Sequence, residues 1–116
     1  MRLIVAAQSR ASNTLWRLPA LSKMPIGLLT LEIHLPYAHS LKEKRVVVRK
    51  TKDRLRARFN VAVAELDHQD LWQRAVLGVV SISSDPVSLE STMAAIQRES
   101  ENLLGGDLVS AELSWL

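Results

Sequence analysis

The stretch IGLLTLEIHLPYAHSLKEKRVVVRKTKDRLRARFN, residues 26–60, decides the fold. Its first ten residues alternate. Gly27, Leu29, Leu31, Ile33 and Leu35 fall on one side, and Ile26, Leu28, Thr30, Glu32 and His34 on the other. This is the period of a strand with one buried face, and Pro36 ends it. Ser40 and Glu43 then form an S-x-x-E capping box. At about 100° per residue, Leu41, Val48, Leu55 and Phe59 align into one apolar stripe. The run Val46-Val47-Val48 has poor helix propensity, but charge flanks it too densely for a strand. The spacing therefore predicts a long helix that stops at Asn60.

Working outward, residues 61–66 and 72–82 read as two further strands. The polar turn Asp67-His68-Gln69-Asp70 between them makes a hairpin. In the later strand Ala75, Leu77, Val79 and Ser81 share one side with Gln73. Trp72, Arg74, Val76, Gly78, Val80 and Ile82 share the other. Asp85-Pro86 is an N-cap followed by proline at the first helical position. Leu89, Met93, Ile96 and Leu103 repeat at helical spacing until Gly105-Gly106 stops the helix. A last alternating strand spans Leu108 to Trp115. The order strand, helix, strand, strand, helix, strand predicts a ferredoxin-like α+β sandwich over residues 24–116. It has a four-stranded antiparallel sheet with both helices on one face. Right-handed crossovers put the first and third of these strands in the centre.

The chain has 116 residues, 47% hydrophobic and 23% charged, which suits one globular domain and excludes wholesale disorder. It has no cysteine, so disulfides, thiolate metal sites and cysteine nucleophiles are excluded. Together with the lack of a long apolar run, this fits a cytoplasmic protein. The net charge of +3 conceals a partition. Residues 1–23 hold Arg2, Arg10, Arg17 and Lys23 with no acid. Residues 40–59 hold nine basic side chains against Glu43 and Asp53, while the rest of the body is strongly acidic. The basic residues 1–23 lack an amphipathic period and are broken by Pro19. They are expected to be a disordered or misassigned extension, with Met24 as an alternative start.

Three constellations stand out. Lys42, Arg45, Arg49, Lys52 and Arg56 recur at spacings of three and four, on an arc of about 80° beside the apolar stripe. Such a stripe suits phosphates; the competing reading is a solvated face whose cations pair with the acidic body. His39, Glu65, Asp67, His68 and Asp70 fall on a loop and hairpin at one end of the sheet. There they form a candidate divalent-metal or small-molecule site, or an ordinary turn with aspartate hydrogen bonds. Leu28, Val76, Val80 and Ile82 make the sheet's open face apolar. A homodimer across that face is expected, the alternative cover being residues 1–23 through Leu3, Ile4, Val5 and Trp16. The open face lacks the aromatics that stack RNA bases on this fold, so any RNA contact is expected to be electrostatic and sequence-blind. No nucleophile elbow, phosphate-binding glycine loop or H-E-x-x-H is present. No catalytic residue and no cofactor are assigned, and neither membrane binding nor DNA sequence reading is expected.

Two phrases are specific: His39-Ser40-Leu41-Lys42-Glu43-Lys44-Arg45 and Asp67-His68-Gln69-Asp70-Leu71-Trp72-Gln73-Arg74. With His34-Leu35-Pro36 and Arg58-Phe59-Asn60-Val61 they resemble the YlxP-like family of small bacterial proteins, a domain of unknown function. The resemblance covers about residues 25–116. It implies a ferredoxin-like fold. Genes of the family tend to sit beside those of a translation initiation factor and a ribosome-binding factor, which implies a ribosome- or RNA-associated role. It carries over no catalytic residue.

Overall fold

A computed structural model of the chain describes residues 2–6 and 25–116. Seven principal elements follow one another: β1 (Arg2–Ala6), β2 (Ile26–His34), α1 (Leu41–Arg58), β3 (Ala62–Asp67), β4 (Arg74–Ile82), α2 (Pro86–Leu104) and β5 (Leu108–Trp115). Local chemistry sets the helix ends. The Ser40 hydroxyl accepts from the Glu43 amide at 3.1 Å, and the Glu43 carboxylate reaches back to the His39 amide at 2.9 Å. Asp85 caps α2 through the Val87 amide, with Pro86 opening the helix. Gly105, at φ 53°, ends α2 in a conformation that a side chain would resist.

The strands form one sheet in the order β1-β5-β2-β4-β3. β2 and β4 are central and antiparallel, flanked by antiparallel β5 and β3. From β2 onward this is the predicted βαββαβ sandwich, a ferredoxin-like α+β fold. One strand is added. Arg2–Ala6 pairs in parallel with β5, from Arg2 opposite Ser110 to Ala6 opposite Ser114. The extension expected over residues 1–23 thus includes an edge strand; its other residues, Trp16 among them, lie outside the described residues.

The alternation read in β2 sets the layers. Leu29, Leu31 and Ile33 are buried with Ala75, Leu77 and Val79 of β4, beneath Val48 and Leu55 of α1 and Leu89, Met93 and Ile96 of α2. Each of these valine, leucine, isoleucine and methionine side chains stabilises the fold by about 1.5–3 kcal/mol. Across the sheet, Leu28 pairs with Val80, Thr30 with Gly78 and Glu32 with Val76 on the face away from the helices. Among the described residues, no helix is long and apolar enough to cross a membrane.

Candidate nucleic-acid interface

Helix α1 carries nine cations, and the structure sorts them by direction. Lys44 points into the protein, buried at 1% exposure among Val48, Thr51 and Leu55. Arg54 and Arg58 point toward α2, where the buried Glu99 takes both, at 3.0 and 2.5 Å. Arg56 donates to the Val63 carbonyl of β3 at 3.1 Å, which fixes the side of α1 that overhangs β3. Lys42, Arg45 and Arg49 are exposed and Lys52 half-buried on that same side, and none forms an ion pair among the described residues. The five stripe residues thus lie together along the outer flank of the helix layer, above an edge strand. The helix cations that find acids, Lys44, Arg54 and Arg58, lie outside the stripe; Lys50, also outside it, is exposed and forms no ion pair among the described residues.

The hairpin cluster is organised differently from a metal site. The Lys44 ammonium sits inside the β3–β4 turn. It donates to Glu65 Oε2 at 3.0 Å and to the carbonyls of His68 at 2.7 Å and Gln69 at 3.0 Å, with the Arg74 carbonyl at 3.4 Å. Glu65 faces inward because it shares the core-facing register of Val63 on β3. His68 adopts φ 64°, left-handed backbone that histidine tolerates better than most residues. This turn delivers two successive carbonyls to one ammonium. The Asp67 carboxylate accepts from the His68 amide at 2.8 Å and lies 3.9 Å from its imidazole, while Asp70 is exposed. The side chain of His39 is exposed too, and its amide is taken by Glu43. Among the described residues, no three histidine or carboxylate side chains gather as cation ligands. The cation this hairpin holds is Lys44.

Lys44 lies within one of the two specific phrases but was not among the expected site residues. Its signal was present. On a helical wheel it falls beside Val48 and Leu55, and Glu65 falls on the inward side of its strand. A buried lysine needs such a carboxylate.

On the open face, Leu28, Val76 and Val80 are half-buried and Ile82 is 57% exposed. Leu66 lies over Gly78 and extends the apolar surface toward β3. The far end of the face is polar: Arg74 pairs with Glu32 at 2.8 Å, and the Ser110 hydroxyl reaches Glu32 at 3.4 Å. Beyond it, the Tyr37 hydroxyl donates to Asp107 at 2.8 Å. That hydrogen bond, then burial and the carboxylate's charge, raise the Tyr37 pKa above its ordinary 10.0.

Fold and surface together define a small ferredoxin-like domain with a flank of unpaired cations and a hairpin locked on a buried lysine. The chain belongs to the family described as Protein of unknown function (DUF503), whose model matches residues 26–113. It is 37% identical over 71 residues to a Bacillus subtilis (strain 168) protein named Uncharacterized protein YlxP, covering 61% of this chain and 77% of the relative.

Proposed function

We propose that this protein is a non-enzymatic RNA-binding accessory factor, associated with the ribosome or its RNA, that holds phosphates along α1. The observation that carries this reading is the sorting of the helix cations. Had the stripe served to neutralise the acidic body, its members would be the ones in ion pairs. Instead Glu99 takes Arg54 and Arg58, Glu65 takes Lys44, and Lys42, Arg45, Arg49 and Lys52 remain available. Unpaired cations at the turns of one rigid helix release counterions from a polyphosphate without first breaking internal contacts.

The test is affinity for structured ribosomal RNA across a salt series. Four contacts predict a log–log slope of about 3.6. Replacing Lys42, Arg45 and Arg49 with glutamate, none of which makes a side-chain hydrogen bond or ion pair among the described residues, should abolish binding while leaving the melting temperature within a few degrees. An unchanged slope in that variant refutes the reading.

The open face supports a second proposal, about assembly. Leu28, Val76, Val80 and Ile82 form the centre of a homodimer contact. The charges of the face, Glu32 and Glu112 against Arg74, nearly cancel, and Glu32 and Arg74 already pair with each other. Such a face gives a polyanion no free cation to bind and offers little to a strongly charged protein. A second copy brings the same near-neutral apolar surface and satisfies two-fold self-complementarity. Sedimentation at micromolar concentration should give a dimer for the full chain and a monomer for Val80→Glu; a monomeric wild type refutes it.

A further inference from the structure

We infer that the α1 stripe is built for base-paired RNA and not for single strands. The inference rests on the proposed function and specifies its ligand. Proteins that hold single strands line a basic groove with aromatic side chains on which bases stack. Here the outer surface of α1 carries Lys42, Arg45, Val46, Arg49, Lys50, Asp53 and Ala57, and no aromatic. The neighbouring edge strand β3 exposes Ala62 and Ala64. Phe59, which follows the helix, packs against the core, and the exposed Tyr37 and Trp72 lie in loops at the N-terminal end of α1 and not along the stripe. A strand with unpaired bases would find phosphate partners along the stripe and no aromatic side chain between them.

The arrangement of the cations points the same way. The stripe is two rows and not one. Lys42, Arg49 and Arg56 follow one another every seven residues, about 10.5 Å apart along the helix. Arg45 and Lys52 form a second row, rotated from the first by roughly 50° toward β3. Two parallel rows of cations match two facing phosphate strands, which the deep, narrow major groove of an A-form helix brings close together. A lone strand can follow only one row at a time.

Charge density adds to this. A site that binds by counterion release alone gains about 0.9 in salt exponent per contact on a duplex and about 0.7 on a single strand. Over the four unpaired cations the exponents differ by about 0.8, a roughly sixfold preference for the duplex at ~0.1 M salt relative to 1 M.

The experiment is fluorescence anisotropy of the full chain with an oligo(A)·oligo(U) duplex and with oligo(U) alone, at equal strand length and across a salt series. The expected result is tighter binding of the duplex by about sixfold or more at ~0.1 M salt, with the steeper slope. Arg49→Gln in one row and Arg45→Gln in the other should each lower the duplex slope by about 0.9. Equal or tighter binding of oligo(U) overturns the duplex inference and leaves the proposed function standing. Binding of neither RNA at low salt overturns both. Duplex binding whose slope is untouched by the two substitutions overturns the assignment to the stripe.

Discussion

Replacing Lys44 with methionine keeps most of the side chain's volume and removes its charge. The structure sets what this should cost. The ammonium is 1% exposed and satisfies the Glu65 carboxylate and the His68 and Gln69 carbonyls at 3.0 Å or less, with the Arg74 carbonyl more distant at 3.4 Å. Breaking a buried ion pair by removing one partner costs about 3–5 kcal/mol. Glu65 keeps 19% exposure and can recover some water, which places the loss toward the lower end of that range. His68, which supplies the first of the two near carbonyls, takes a left-handed conformation. With no ammonium to bind, that turn loses what offsets its own strain. A loss of ~3 kcal/mol corresponds to a fall of about 12 °C or more in Tm for a domain of this size. Urea denaturation should show the lower midpoint with an unchanged m-value, and amide exchange should accelerate across residues 68–73. Adding Glu65→Leu to Lys44→Met should recover part of the loss, because a pair removed whole leaves no stranded charge. A single variant within ~1 kcal/mol of the parent would refute the idea that the buried ammonium holds this loop.

Four further outcomes follow from the geometry. Tyr37 is the chain's one tyrosine, so its phenolate absorbance can be titrated directly; it should ionise above 10.0 and return toward that value in Asp107→Ala. Because the folded-state pKa is the higher one, the contact contributes its stability below pH 10.0 and loses it as pH rises through the folded pKa. Gly27→Ala should destabilise by about 1–3 kcal/mol, since its Cβ would come within 2.9–3.1 Å of Met93 and Trp115 in the packed layer. Gly78→Ala should be nearly neutral in urea melts, because the atom it meets at 2.8 Å is the tip of the exposed Leu66, which can swing away. Finally, millimolar zinc or manganese should leave Tm unchanged. A metal-induced rise that disappears in the His39→Ala, His68→Ala double variant would show that the hairpin takes a second cation besides Lys44.

Most of the fold was legible because its signals are local. The alternation of residues 26–35, the Ser40–Glu43 cap, the Asp85-Pro86 start and the Gly105-Gly106 stop each depend on a few neighbours, and the structure uses all of them. The placement of Leu28, Val76, Val80 and Ile82 on one face was legible for the same reason: a strand's period leaves no choice. β1 was not legible. Arg2–Ala6 lacks alternation, and its partner β5 lies at the opposite end of the chain. Lys44 is singled out by no motif: the helical wheel sets it beside Val48 and Leu55 but does not say which acceptors hold its ammonium there. Three of those acceptors are main-chain carbonyls, which no side-chain pattern reports.

The added strand β1 changes what the sheet offers to other sheets. With β5 covered by β1, the sheet ends, among the described residues, at β1 on one side and β3 on the other. An unpaired edge is where proteins zip together into aggregates, and the first half of β3 exposes only the small Ala62 and Ala64. Its guard is the overhanging helix flank. Two molecules approaching edge to edge through β3 would bring two rows of like cations face to face before any ladder hydrogen bond could form. The same charges that suit a polyphosphate thus act as a colloidal barrier, one that weakens as salt screens it.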